Sequence, residues 1–585
     1  MPNLQHLLCD LPDVNLALSR ARDLATEIKL GHSAFLQHTG FRSEADYKQQ
    51  CMRDGQIMYH AHLGLSDWPE TERALQFLDQ EMRALGYQID RVGLALDRRM
   101  ALPEKLRARA AAETGPMLVD TGQWQRVAQC ALIQPHMGDF MIGMPASVTN
   151  TALALQAGVT TIGNLSQYFA FETPNWNAPD VTAVETTTAI ALLGCFREQG
   201  VMLHSYLEDG YGALFQDCRT VAGWAYLEHY IVEELLGAKL SHCIGGLTAD
   251  PVRRAGWVFA LNHIHGGEHI GSMIYGDTIS FNDDFEQNRA LVSEYLLWDI
   301  LAQLHQPGGH AVLPLPVTEA VRIPSAEEVF DAQRLGRRIE QSARRMYPHV
   351  DFSAAEAFAD EVSRAGKTIF QRALAGLEDE GIDTRDALQL LYFLKLRGSD
   401  WFEQRFGFVG EDSVASQPPG AEANDHVVSH MLTDICRMTR DLVAEHQELF
   451  SSEMAREKLS GQRLLLASTD VHEHAISALA ELLRLSGAEV INLGAEQDTV
   501  QVAAALKQYI PDVLLLSTHN GMALEYARQL HQLMVEHNDT TPVLMGGVLN
   551  QKVEDQQLPV PVAEDIRKLG FRALETVERL LLDAE

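Results

Sequence analysis

The 585-residue chain carries a formal charge of −33 at neutral pH and is too long for a single core, so several domains are expected. No run of about 18 apolar residues occurs, which excludes a membrane-spanning helix, and the acidic balance excludes nucleic acid as a partner, because phosphates would be repelled. Seven scattered cysteines without a C-x-x-C pair speak against structural zinc or an iron–sulfur cluster. They suit a reducing, cytoplasmic setting. The start, Met1-Pro2-Asn3-Leu4, lacks a basic region followed by an apolar one, so no secretory signal is expected.

In chain order, residues 1–89 read as a helical segment. Leu16, Leu24, Ile28 and Leu30 fall on one side, Trp68-Pro69-Glu70 marks a helix start, and Gly86 marks a helix end. From 90 to 325 the pattern turns to short apolar strands alternating with helices. Strands are expected at 92–96, 116–119, 130–134, 159–163, 201–207, 240–245, 270–275 and 311–315. Their number and spacing suit an α/β fold of the (β/α)8, TIM-like barrel kind with helical flanks. A doubly wound sheet is the alternative. Residues 326–409 return to helix, with Arg337, Arg338, Arg344 and Arg345 expected on a solvated face. Residues 410–425, which include Pro418-Pro419-Gly420, have linker composition, and 426–460 reads as one connecting helix.

The last segment, 461–585, carries the densest pattern. Leu464-Leu465-Leu466-Ala467 reads as a strand, followed by Asp470-Val471-His472-Glu473-His474-Ala475 and then by Ile476, Leu479, Ala480, Leu482 and Leu483 at helical spacing. A second strand, Val513-Leu514-Leu515-Leu516, runs into Ser517-Thr518-His519, and a third, Val543-Leu544-Met545, into Gly546-Gly547. In an open parallel sheet, ligands bind at such strand ends. A histidine, a hydroxyl and a double glycine are therefore aimed at one place.

This pattern resembles the cobalamin-binding domain of B12-dependent mutases and methionine synthase, marked by D-x-H-x-x-G, S-x-L and G-G. Here 41 residues separate Ala475 from Ser517, and 26 separate His519 from Gly546. The resemblance implies a Rossmann-like (flavodoxin-like) domain that binds cobalamin. His472 would be the lower axial ligand of cobalt, with Asp470 holding its other ring N–H, an arrangement that fixes the tautomer of a metal-bound imidazole. Ser517, Gly546 and Gly547 would take the nucleotide tail. Ala475 and His519 depart from the motif's glycine and leucine. His474 is a rival ligand, but only His472 stands at the motif position. The alternative for the segment is a flavodoxin-like module with an ordinary loop histidine.

Two chemistries use such a domain. Methylcobalamin-dependent methyltransferases precede it with a four-helix cap, whereas adenosylcobalamin mutases set it against a barrel. The expected barrel favours the mutase: an isomerase with a radical mechanism acting on a small-molecule substrate. A methyltransferase or corrinoid protein, and a cobalamin-sensing regulator, remain as alternatives. The barrel region is also similar, in places, to the large subunit of glutamate mutase. The matching stretches are Phe196-Arg197-Glu198-Gln199-Gly200-Val201 and Gln134-Pro135-His136-Met137-Gly138-Asp139, where Pro135 replaces the family's arginine. A dicarboxylate clamp built on arginines is thereby incomplete, and a substrate with amino or hydroxyl groups is expected instead.

At the expected strand ends, His204, Glu208, His136 and Tyr168 are the candidate catalytic residues, as acid, base or hydrogen-bonding groups. Arg98, Arg99, His242 and Asp277 are the candidate substrate contacts. His265-Gly266-Gly267-Glu268-His269 has the letters of a zinc-hydrolase motif, but its paired glycines oppose the required helix, and a glycine-rich loop is expected. No local pattern identifies a lysine for pyridoxal phosphate, so that cofactor is unassigned. A homodimer is compatible with the sequence, which does not fix the oligomeric state.

Overall fold

The computed structural model describes residues 8, 11–110, 115–246, 248, 250–409, 431–469, 473–495, 497–518, 521–551, 553, 559–574 and 576–582, without the side chains of 473, 474 and 582. The chain divides into two compact units. The first comprises Met1–Ser280, Glu286–Val317 and Pro324–Thr433; the second comprises Phe281–Phe285, Thr318–Ile323 and Asp434–Glu585.

Unit one holds eight short parallel strands: β1 (His60–Leu63), β2 (Arg91–Leu94), β3 (Gln134–His136), β4 (Thr161–Ile162), β5 (Met202–Tyr206), β6 (Leu240–Cys243), β7 (Met273–Ile274) and β8 (Ala311–Val312). They pair as β1-β2-β3, β4-β5-β6 and β7-β8. Single parallel bridges, Met137 to Ile162, Ile244 to Ile274 and Tyr59 to Val312, join these sheets end to end. Every strand therefore has a neighbour on both sides. A helix separates each strand from the next, as parallel pairing requires. The one after β1, Trp68–Ala84, shows why: Asp67 accepts the Glu70 N–H as N-cap, and Pro69 sits in the first turn. Leu75, Leu78 and Met82 are buried at helical spacing, and Gly86 with φ of 76° ends it.

The strand set differs from the sequence expectation around the first three strands. Residues 116–119 form no strand, and β1 lies instead within the stretch read as helical. Cys130–Leu132 likewise fall outside β3, which starts at Gln134. Strands this short give period-2 alternation little room to declare itself.

The amino-terminal ends of the strands are closed by the helix Glu44–Asp54. Its Lys48 ammonium donates to the carbonyls of Gly271 (2.5 Å), Ser272 (2.6 Å) and Gly309 (2.9 Å). Glu44 lies 3.0 Å from Arg91, at the start of β2, and accepts from Thr161, at the start of β4, at 2.8 Å. All of these charged side chains are buried. They replace their water shell with partners from four strands or their leads, leaving the carboxyl ends as the place for a site.

The helices Ala326–Met346, Ser353–Asp379 and Ala387–Phe406 pack within unit one. Phe358 and Ile369 press on Gly256 and Gly223, where a Cβ would come within 2.5 Å of them. Arg337 is not on a solvated face: its guanidinium lies 3.6 Å over the Tyr59 ring. Residues 410–425, expected as a linker, lie outside the described residues.

Unit two is a parallel five-stranded sheet flanked by helices. Its strands are β9 (Arg463–Ser468), β10 (Glu489–Asn492), β11 (Val513–Thr518), β12 (Val543–Gly547) and the edge pair Arg572–Ala573, in the order β10-β9-β11-β12-edge. β9 and β11 are central, and their runs of leucine are buried on both faces. The stretch 426–460 is two helices among the described residues, Asp434–Phe450 and Glu453–Leu459, because Ser452 starts the second as its N-cap. Phe450, Ala455 and Leu459 pack with Ile476, Ala480 and Leu483 of the helix Glu473–Leu485. No helix among the described residues is long and apolar enough to cross a membrane.

Candidate functional site

In unit one, the strands bring a group of histidines together. The His136 and His204 rings stand edge to face with centroids 4.5 Å apart, and His60 is 6.0 Å from His136. His136 donates through Nδ1 to the Thr161 carbonyl at 3.2 Å, which leaves Nε2 as an acceptor. Beside that nitrogen is Gly138, where a Cβ would sit 3.1 Å away. The Ser272 hydroxyl accepts from Arg91 at 3.1 Å and meets His204 Nδ1 at 2.8 Å. Ser272 thus links the Arg91 guanidinium to the His204 ring.

Burial holds His60, His136 and His204 well below the usual imidazole range, and the Arg91 guanidinium adds to it. Burial alone pushes His62 down to about 4. These imidazoles are neutral at physiological pH. Gly93 gives them space: a Cβ there would lie 2.8 Å from His60 Nε2 and 2.9 Å from His62 Nδ1. Asp139, opposed by Gln167 at 3.1 Å, is pushed up to about 6 by burial. Tyr206 and Tyr275 stack at the ends of β5 and β7, centroids 5.3 Å apart.

Among the expected catalytic residues, then, His136 and His204 meet. Glu208 lies in the turn after β5, where it accepts the Gly245 N–H. Tyr168 does not join them: it packs against Phe169 in an aromatic cluster, its hydroxyl buried without a partner. His242 is a correction. It is paired in register with Ser205, and both turn away from His204 to Glu228, at 3.2 Å and 2.6 Å. Strand alternation sends residues 204 and 205 to opposite faces. Arg98 donates to the Glu172 carbonyl at 2.6 Å, and Arg99 grips Asp97 with two bonds of 2.9 Å. Asp277 is fully buried and accepts the Ile279 N–H at 3.1 Å. The sequence reading missed His60, His62 and Arg91. The alternation His60-Ala61-His62-Leu63 after Ile57-Met58-Tyr59 is the signal that marks them.

In unit two, Ser517 stands in register with Ser468 on one side and Gly546 on the other. Thr518 is level with Gly547. Strand order reverses around β9, so a crevice opens between the carboxyl ends of β9 and β11. Two hydroxyls there, Thr469 Oγ1 and Thr518 Oγ1, are buried with no hydrogen-bond partner. A Cβ built on Gly546 meets nothing nearer than 3.8 Å, and Gly547 has φ of 85°. Ala475 is half-buried in the first turn of its helix. Asp470, His472 and His519 lie outside the described residues.

Residues 464–565 match the family model of the B12 binding domain. The carboxyl-terminal unit contains a B12-binding domain. A cobalamin-binding protein from Desulfitobacterium hafniense DCB-2 is similar at 16% identity over 41% of this chain and 85% of that one, with a TM-score of 0.18, too low to carry an argument. No curated protein matches the chain.

The side chains of this B12-binding domain fit its cofactor. Orphaned hydroxyls at the ends of β9 and β11 need hydrogen-bond partners, which a nucleotide tail supplies. The space beside Gly546 lets a bulky group approach the backbone. Both features lie at the carboxyl end of the sheet.

Proposed function

We propose that the protein is an adenosylcobalamin-dependent mutase acting on a small amino- or hydroxy-acid-like substrate. Unit one is read as a (β/α)8 barrel that holds the substrate. The observation that carries this reading is the company the B12-binding domain keeps. The same chain has eight parallel strands, each paired on both sides, with a polar interior of neutral histidines.

The helical stretch 326–406 speaks against the methyltransferase alternative. Its three helices are used up against unit one, and only Asp434–Phe450 and Glu453–Leu459 precede β9 in unit two among the described residues. A four-helix cap is not formed from them.

His472 would hold cobalt, with Asp470 fixing its tautomer. Thr469, Ser517, Thr518, Gly546 and Gly547 would line the tail's position. Bound adenosylcobalamin supplies radical chemistry that no side chain offers. The barrel's own residues bind and orient: His136 would accept a hydrogen bond through Nε2, and His204 would donate one. Such a pair suits a hydroxyl or amino group, and Asp139 suits a substrate amine. The neutral imidazoles add no positive charge to that of Arg91, which Glu44 already pairs, so a dicarboxylate finds no free cation among them.

Anaerobic EPR of the adenosylcobalamin-loaded protein, with candidate amino and hydroxy acids added in turn, tests this. A substrate-dependent paramagnetic signal supports the mutase. Its absence across the series, with methyl transfer from methylcobalamin to an acceptor, assigns the alternative.

A further inference from the structure

Away from the barrel's interior, on the outer side of β6, three potential metal ligands converge. They are His229, at the end of the helix Cys218–His229, Glu233, in the turn Tyr230–Leu235, and His265, which follows the helix Pro251–Ile264. One ligand atom from each lies within 4.8 Å of the others. His229 Nε2 and His265 Nδ1 are each 3.9 Å from the Glu233 carboxylate.

The neighbouring hydrogen bonds decide which nitrogen of His265 is open. Glu228 is buried and receives Trp224 at 2.9 Å and Ser205 at 2.6 Å, so it acts as an acceptor. His242 Nε2, 3.2 Å from it, must donate. His242 Nδ1 is then a lone pair, and His265 Nε2, 2.8 Å away, donates to it. The remaining nitrogen, His265 Nδ1, is consequently unprotonated. It is buried, has no hydrogen-bond partner, and faces the Glu233 carboxyl group at 3.9 Å. The Glu233 oxygen it faces takes the Leu240 N–H at 3.0 Å, so the buried nitrogen alone is left without a donor, a lack that a bound cation would relieve. The outer nitrogen of His265 is thus held by His242, which Glu228 holds in turn, the kind of outer support that orients an imidazole toward a metal.

The backbone makes the same point. Tyr230–Leu235 is a π-helical turn, a form with poorer hydrogen bonding that recurs at functional sites. It carries Glu233 round to face His229 and His265. Arg197 and Lys239 each lie 3.3 Å from Glu233 and balance its charge. Lys239 is the group a metal must displace. Around tetrahedral zinc, ligand atoms stand roughly 3.3 Å apart, so the two 3.9 Å gaps close with small turns of the partly exposed His229 and of the Glu233 carboxylate.

We propose that His229, Glu233 and His265 form a zinc site with water in the fourth position, pinning the end of one barrel helix to the end of the next. The test uses the untagged full chain without cobalamin. Zinc titrated calorimetrically, and cobalt(II) followed by its tetrahedral visible absorption, report binding; thermal unfolding reports the staple. One equivalent of zinc that raises the melting temperature is expected. His229→Gln and Glu233→Gln should each weaken that equivalent at least tenfold. His229 is partly exposed, and Gln keeps the shape of the nearly buried Glu233 side chain; circular dichroism checks that both variants fold. Lys239→Met should tighten it. Zinc bound equally by the native chain, His229→Gln and Glu233→Gln would overturn the site, as would an octahedral cobalt spectrum.

Discussion

Ser517 and Gly546 are register partners across β11 and β12, and Ser468 completes the row on β9. Two motifs remote in sequence thus end at the same height of one sheet. A hydroxyl and a bare backbone lie side by side where strand order reverses. That adjacency makes the separated letters of the motif a single surface.

Gly546 offers a clean separation of binding from folding. A Cβ at this position meets only ordinary contacts, the nearest at 3.8 Å, so Gly546→Val should fold normally. The added methyl groups intrude on the cofactor's side. Cobalamin titrations should show affinity reduced about tenfold or more, at least ~1.4 kcal/mol, with an unchanged melting temperature.

His472→Ala should leave cobalamin without its protein ligand. The absorption spectrum of the loaded variant should revert from the base-off, histidine-on form. His474→Ala should retain the native spectrum, because residue 474 is off the motif position.

His136→Leu removes the Nε2 acceptor while keeping an apolar body in a buried place. Turnover should fall by about 10²-fold, the scale of a lost proton-handling or hydrogen-bonding group. Cobalamin affinity should stay the same. A His242→Leu comparison should act on stability instead, since His242 bonds Glu228 and His265 on the outer side of β6.

Acid should destabilise unit one earlier than carboxylate titration alone predicts. His62 is pushed down to about 4 and His310 to about 3 by burial, from a value of 6.5. The unfolded chain therefore takes up protons first. Their contribution is intact above about pH 6.5 and falls as pH drops toward 4, by ~1.4 kcal/mol per pH unit for each histidine. Asp139 and Asp299, pushed up to about 6 by burial, act in the opposite sense: each is relieved as pH falls through 6. Urea unfolding at several pH values should show a net loss below 6.5, smaller in His310→Asn.

Lys48→Met should cost about 3 kcal/mol or more in chemical denaturation. It strips the cation from three carbonyls and leaves Glu44 with Arg91 alone in a buried place. Adding Glu44→Gln to Lys48→Met should deepen the loss, because the buried Arg91 guanidinium then lacks its carboxylate.

The sequence by itself determined the B12-binding domain, because a cofactor held at strand ends needs particular residues at particular intervals along the chain. It also determined the alternation of strand and helix in unit one, which follows from local apolar runs and caps such as Asp67 and Gly86. Which histidines meet was decided only by tertiary structure. His136, His204 and His242 look alike in sequence, each in a short apolar strand. Register and the pleat turn the first two toward one another and send the third outward to Glu228. β1 was hidden for the same reason: a four-residue strand is stabilised by neighbours far along the chain, here Arg91–Leu94 and Val312. Local periodicity records what a residue does to its own element; pairing between distant elements leaves no mark on spacing.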